Sequence, residues 1–299
     1  MRSTAWLAAF AAAGITSHAW AAPCCAGSSA APALITGDEA SLLSATISQG
    51  SVIGDAWSSG LAVFRDPGDA EVTRTLKLEG ALLLSDRWQA GATLPLVQHD
   101  LHRPGAVADR AGLGDVGLSV GYEALPEWTY TEIQPRGWVF LRATLPTGRS
   151  ALSSQAPGGA DVTGQGLTSV GLGALLLKRW SRWDVSLTPE FHVSVADAAG
   201  ARAGVGAGLG LAVGRRLGDW RVGVRTQPQW DGPRKIQGPG GPEETDRRSV
   251  WETGLDVTAP VGDDWSLTAA YTDETLLGPA RNTSLSRTVA LTLQTRWDR

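Results

Sequence analysis

His192 and Ser194 stand two residues apart, with Glu190 two before the histidine. On an extended strand, residues i and i+2 share a face, so a base, a hydroxyl and a carboxylate would meet on one surface, the residue types of nucleophilic catalysis. The same face would carry Asp184, which points instead to a polar wall. The other ionisable side chains are spread in the same way. Lys77, Glu79, Asp115, Glu123, Arg142, Asp184, Glu190, Arg221, Arg225, Glu252, Asp256 and Arg296 all fall at the polar positions of alternating stretches. Mixed signs at such positions suit the lining of a conduit, or paired charges that brace a narrow wall. The candidates for a solute-selecting lumen are Arg142, Asp184, Glu190, His192, Arg221, Arg225, Glu252 and Asp256. His99 and His102 flank Asp100 at a spacing that can bind a metal, but further ligands are not evident, so a solvated loop is expected there. Cys24 and Cys25 are adjacent; they could close a vicinal disulfide, pair between chains, bind a soft metal, or have no function. The sequence has no phosphate-cradling glycine loop, zinc spacing or nucleophile elbow, so no cofactor and no enzyme activity are expected.

The elements that must hold these residues announce themselves through tryptophan. Asp86-Arg87-Trp88, Ser181-Arg182-Trp183, Gly218-Asp219-Trp220 and Asp263-Asp264-Trp265 are versions of one unit, a tight polar turn that opens an alternating apolar stretch; Trp138 fits the series more loosely. Indole has an apolar body and one N–H donor, and it settles where hydrocarbon meets water. A Trp at every second strand start is what one rim of a transmembrane barrel requires. Trp88, Trp138, Trp183, Trp220, Trp265 and Trp297 are therefore expected to form a periplasmic girdle.

Twelve alternating segments follow residue 39, at about 40–52, 70–84, 88–98, 113–125, 137–147, 166–178, 183–196, 203–215, 220–230, 249–260, 265–276 and 286–297. Short connections (85–87, 179–182, 216–219, 261–264, with 126–136 longer) alternate with mostly longer ones rich in Gly, Pro and charge (53–69, 99–112, 148–165, 197–202, 231–248, 277–285). Outer-membrane barrels have this asymmetry of periplasmic turns and external loops. The expected fold is all-β: a single antiparallel transmembrane barrel of about twelve strands. A soluble sandwich would show the same alternation with its faces swapped. Gly204, Gly206, Gly208, Gly210 and Gly214 share one face of the eighth segment, which would either leave a smooth inner strip or let bulky neighbours lean across.

The first residues, Arg2, an apolar run to Ile15 and Ala19-Trp20-Ala21, read as a secretory signal peptide, 1–21, cleaved before Ala22. Cys24 raises lipidation as an alternative, against which Pro23 stands. Residues 22–39 read as an unstructured or plug-like periplasmic lead, and 40–299 as the barrel. Mean hydropathy is −0.07, which is no argument against a membrane location, because lipid-facing and lumen-facing residues cancel in a barrel. The net charge of −4 is spread out, and no basic block points to nucleic acid. The expected partners are outer-membrane lipid of a Gram-negative bacterium and a small-molecule solute.

Three stretches resemble the outer-membrane family of transporters of the phenol-degradation (MetA) pathway: Trp88-Gln-Ala-Gly-Ala-Thr-Leu-Pro-Leu-Val97, Gly112-Leu-Gly-Asp-Val-Gly-Leu-Ser-Val-Gly-Tyr122 and Leu141-Arg-Ala-Thr-Leu-Pro-Thr-Gly148. The resemblance implies an outer-membrane channel for passive or gated passage of small solutes; members of that family are inferred to move aromatic or hydrophobic compounds, and the resemblance does not establish the cargo. The alternative is a structural or adhesive barrel that transports nothing and contacts a partner through loops 148–165 and 231–248.

Overall fold

The computed structural model describes residues 31–66, 68–103, 106–195, 204–233, 235–238 and 241–298. Twelve long strands make the wall: β1 (Glu39–Ala56), β2 (Ala70–Leu83), β3 (Trp88–Arg103), β4 (Val116–Leu125), β5 (Arg136–Leu145), β6 (Ser169–Arg179), β7 (Trp183–Ser194), β8 (Gly206–Leu217), β9 (Trp220–Asp231), β10 (Arg248–Pro260), β11 (Trp265–Asp273) and β12 (Thr283–Asp298). Each pairs antiparallel with its chain neighbour. β12 returns to β1, from Ser41↔Trp297 to Ala56↔Thr283, so the sheet closes on itself. The wall strands run from 9 to 18 residues, enough to cross the roughly 9–11 residues that a tilted strand needs in a bilayer.

The faces are those of a barrel in lipid. Along β7, Asp184, Ser186, Thr188 and Glu190 are buried, while Trp183, Phe191 and Val193 are exposed. The same inversion runs round the wall: Ile47, Leu141, Leu172, Val224, Leu255 and Leu291 lie on the exposed outer face, and Thr46, Ser119, Arg225, Thr268 and Thr292 are buried inside. A soluble sandwich would bury the first set. Water outside would leave these apolar side chains unsheltered, whereas hydrocarbon accepts them and leaves the polar set to pair within.

The short turns set the tryptophans. β8 and β9 are joined by two residues, Gly218-Asp219, and Gly218 takes φ 63°, the left-handed value that a two-residue hairpin of the II′ kind places on its first residue. At three other turns an N–H donates to the carbonyl of the Trp that opens the next strand: Leu84 to Trp88, Trp180 to Trp183 and Val261 to Trp265. Trp88, Trp183, Trp220, Trp265 and Trp297 all point outward at this rim, between 43% and 56% exposed.

The structure corrects three expectations. Residues 99–112 are not a loop. β3 continues to Arg103 and pairs with Ala106–Leu113, from Leu96↔Leu113 to Arg103↔Ala106, so the β3–β4 connection is a projecting hairpin. Below it the partner strand carries one extra residue across Gly114-Asp115, a bulge that lets the hairpin run on into β4. The 231–248 connection likewise holds a small hairpin, Lys235–Gly238 with Gly241–Glu244. The third correction is Trp138, which belongs to the inside: it is 2% exposed and packs with Leu34, Phe140, Leu175 and Leu177. Trp138 is the third residue of β5 and shares the inward parity of Arg136, Phe140 and Arg142, with Val139 and Leu141 exposed on the other face.

Candidate functional site

The interior has three parts. On the β7–β10 side it is a charge cluster centred on Arg221. From β9 this guanidinium crosses Gly214 of β8 to reach Asp184 on β7, donating from Nε to Oδ2 at 2.9 Å and from Nη2 to Oδ1 at 2.7 Å. In the other direction Nη1 meets Asp256 Oδ2 of β10 at 2.5 Å. The three side chains are almost fully buried. A Cβ on Gly214 would collide with the guanidinium, and one on Gly223 would lie 2.6 Å from both Arg221 Nη1 and Asp256 Oδ1. The glycines therefore seat a long side chain flat on the wall. Gly206 does the same for His192, whose Nε2 lies 3.0 Å from Asp231 Oδ1. Of the two expectations for the glycine face of β8, leaning neighbours describe Gly206 and Gly214.

The remaining candidates sit beside this cluster. Arg142 Nη2 lies 2.5 Å from Glu190 Oε1, and Arg225 Nε lies 3.7 Å from Glu252 Oε1. All eight candidates are thus on inward strand positions, and seven of them are joined in pairs or in the Arg221 cluster. His192 pairs with Asp231, not with the hydroxyl of Ser194. His99, in the projecting hairpin, meets Thr73 Oγ1 at 3.0 Å. Among the described residues no group of three His, Cys, Asp or Glu is placed to hold a metal. The signal peptide, Cys24, Cys25 and loop 197–202 lie outside the described residues.

The second part is occupied by the chain itself. Residues 31–38 run inside the wall of β3 to β6. Gln89 holds Ile35 from both sides, its Oε1 accepting the Ile35 N–H at 2.6 Å and its Nε2 donating to the Ile35 carbonyl at 3.3 Å. Arg136 and Arg179 both donate to the Thr36 carbonyl, at 3.4 and 3.3 Å, and Arg179 also reaches the Thr36 hydroxyl. Leu34 fills the apolar recess of Trp138, Phe140, Leu175 and Leu177. Gly91 and Gly121 make room, since a Cβ at either would press on Ala33 or Leu34. Sequence reasoning missed Gln89, Arg136 and Arg179 as holders of this segment; the inward parity of Gln89 and Arg179 was readable, but their partner was not.

The third part, on the β1, β2 and β9–β12 side, is a cavity of about 200 Å³ lined by Thr46, Ser48, Thr75, Lys77, Arg225, Glu252, Ala270, Thr272, Thr288 and Ala290. Toward the tryptophan rim hydroxyl pairs link neighbouring strands along the inner wall: Thr46 with Thr292 at 2.8 Å and Thr258 with Thr268 at 2.9 Å.

At the opposite end, loop 148–165 folds against the projecting hairpin, with Ala160 packed on the inward-facing Leu101 and Ala108. Asp161 ties this loop together. It accepts the N–H of Gln155 at 3.0 Å, the hydroxyl of Ser154 and Arg149 Nη1 at 2.7 Å, and these donors hold its carboxyl well below the usual carboxylate range. Asp115 in the bulge accepts from the N–H groups of Gly148 and Gln165, at 2.9 and 2.6 Å.

No protein-family model matches the chain, and no curated protein does. Among solved structures it is similar to the COG4313 outer membrane channel from Pseudomonas putida F1, at 16% identity over 88% of this chain and 97% of that one, with a TM-score of 0.70. It also aligns with the NanC porin (9% identity, 84% and 98% covered, TM-score 0.46) and the CymD monoaromatic hydrocarbon channel (11% identity, 88% and 90% covered, TM-score 0.44). The likeness to the first shows a shared fold, the closed antiparallel barrel.

Proposed function

We propose that the chain is an outer-membrane channel for passive or gated passage of small solutes, delivered across the inner membrane by the signal peptide at 1–21. The observation that carries this is the inversion of faces in a closed barrel: apolar residues exposed outside, charged and hydroxyl residues buried inside around an open chamber. No energy-coupling feature is recognised among the described residues, so solutes would move down their gradient. Residues 31–38 act as the gate or plug, since they take up one side of the lumen. The cargo implied by the resemblance, small aromatic or hydrophobic compounds, would find an apolar wall at Trp138, Phe140, Leu175 and Leu177, which Leu34 now covers. The lead and the buried Arg221 cluster, which take up parts of the lumen, favour the second reading, a barrel that transports nothing. Refolded protein in a planar bilayer separates the two: discrete conductance steps support the channel, and folded barrels without steps support the structural role.

A further inference from the structure

The chamber lined by Thr46 and Glu252 is open, and small inward residues help to keep it so. Ala270 and Ala290 face it from β11 and β12. Gly254, also inward, would with a Cβ meet Thr272 at 2.7 Å and Arg225 Nε at 3.3 Å. The volume is about 200 Å³, room for several waters or one small solute.

The chemistry of the lining is narrow. Thr46, Ser48, Thr75, Thr272 and Thr288 are hydroxyl-bearing, each able to donate and accept. No lining residue is aromatic, and the only hydrocarbon side chains are the two alanines. The charges are balanced: Lys77 Nζ lies 3.0 Å from Glu79 Oε2, and Arg225 faces Glu252. Glu252 Oε1 is buried, lies 3.7 Å from Arg225 Nε, beyond hydrogen-bond distance, and accepts no hydrogen bond among the described residues, so it keeps acceptor capacity for a further donor. A net ion entering would meet no uncompensated countercharge, and a hydrocarbon would strip water from hydroxyls without replacing their hydrogen bonds. A compound with several hydroxyl groups supplies both donors and acceptors.

We infer that this chamber is a binding subsite for small, uncharged polyhydroxylated solutes, with Glu252 accepting from a solute hydroxyl. The inference rests on the channel reading and narrows its solute class away from hydrocarbons. The test uses the full chain in planar bilayers, with potassium chloride carrying the current and xylitol as the probe. Xylitol is expected to reduce the current in a saturable manner. Ala290→Leu, which fills the chamber, should abolish the saturable part. Glu252→Gln, which keeps the shape, should weaken half-saturation about fivefold, as a charge-assisted hydrogen bond becomes a neutral one. Leu291→Ala, on the outer face, should leave the block as in the parent. Block that only follows solution viscosity, or saturable block that survives both Ala290→Leu and Glu252→Gln, overturns the subsite while leaving the channel in place. Folded parent protein that passes no current overturns the channel reading, and the subsite with it.

Discussion

Arg221 shows how a single inward side chain is specified by residues on four strands: its carboxylate partners on β7 and β10, and the glycines of β8 and β9 on which it lies. Removing one partner of a buried ion cluster leaves uncompensated charge, at a cost of about 3–5 kcal/mol. Arg221→Gln should therefore lower the unfolding free energy by that order, read from heat-modifiable gel mobility across a denaturant series, and Gly214→Ala should be destabilising as well because its methyl takes the guanidinium's place. Equal stability of Gly214→Ala and the parent would mean that Arg221 does not lie across β8. The contact with Asp256 was readable beforehand, because β9 and β10 are chain neighbours and diagonal positions meet. The contact with Asp184 was not, since it skips a strand and depends on Gly214. Trp138 was misread for a related reason. Its distance from the other tryptophans fits the rim repeat, but it shares its strand face with Arg136, Phe140 and Arg142 while Val139 and Leu141 face out, and parity along a strand decides the face. The outer face has its own prediction: Leu291→Arg near mid-depth should destabilise by about 2–4 kcal/mol, whereas Ala290→Arg, one residue earlier and facing the chamber, should cost much less. Equal losses would invert the faces of β12.

Among the elements, the lead and the 148–165 loop act at opposite ends of the lumen. The lead is held by one amide, two guanidinium groups and a leucine socket. Deleting 31–38 should raise single-channel conductance several-fold, and Leu34→Asp should move it the same way, because a carboxylate is costly in that apolar recess. Unchanged conductance in both would make the segment a bystander. The loop at the far end depends on Asp161. A carboxyl held below its unfolded value of about 3.9 stabilises the folded loop at any pH above that value, and the contribution is lost as pH falls through the depressed folded value. Pepsin nicking within 148–165 should therefore increase as pH is lowered below about 4, and Asp161→Asn should be nicked readily and with less dependence on pH. The long-range partners of these elements were hidden in the sequence. Residues 31–38 carry no periodicity, and their place is set by Gln89, Arg136 and Arg179, which are distant in the chain. The projecting hairpin hid for another reason: His99 to Gly112 has the polar composition of a loop, because its strands stand beyond the apolar band, where alternation no longer reports burial.

At the scale of the whole molecule, the alternation of polar and apolar residues, the tryptophan-marked turns and the even strand number were legible, because the bilayer imposes them on every strand at once. What fills the lumen was not, since it depends on which small residues face one another across strands far apart in sequence. The central claim, that solutes pass through this interior, is tested most directly by zero-current potentials in an asymmetric potassium chloride gradient for the parent, Arg225→Gln and Glu252→Gln. Both side chains line the chamber with opposite charge. The account predicts potentials displaced in opposite directions, toward cation selectivity for Arg225→Gln and toward anion selectivity for Glu252→Gln. Open channels whose potentials match the parent in both variants would contradict it.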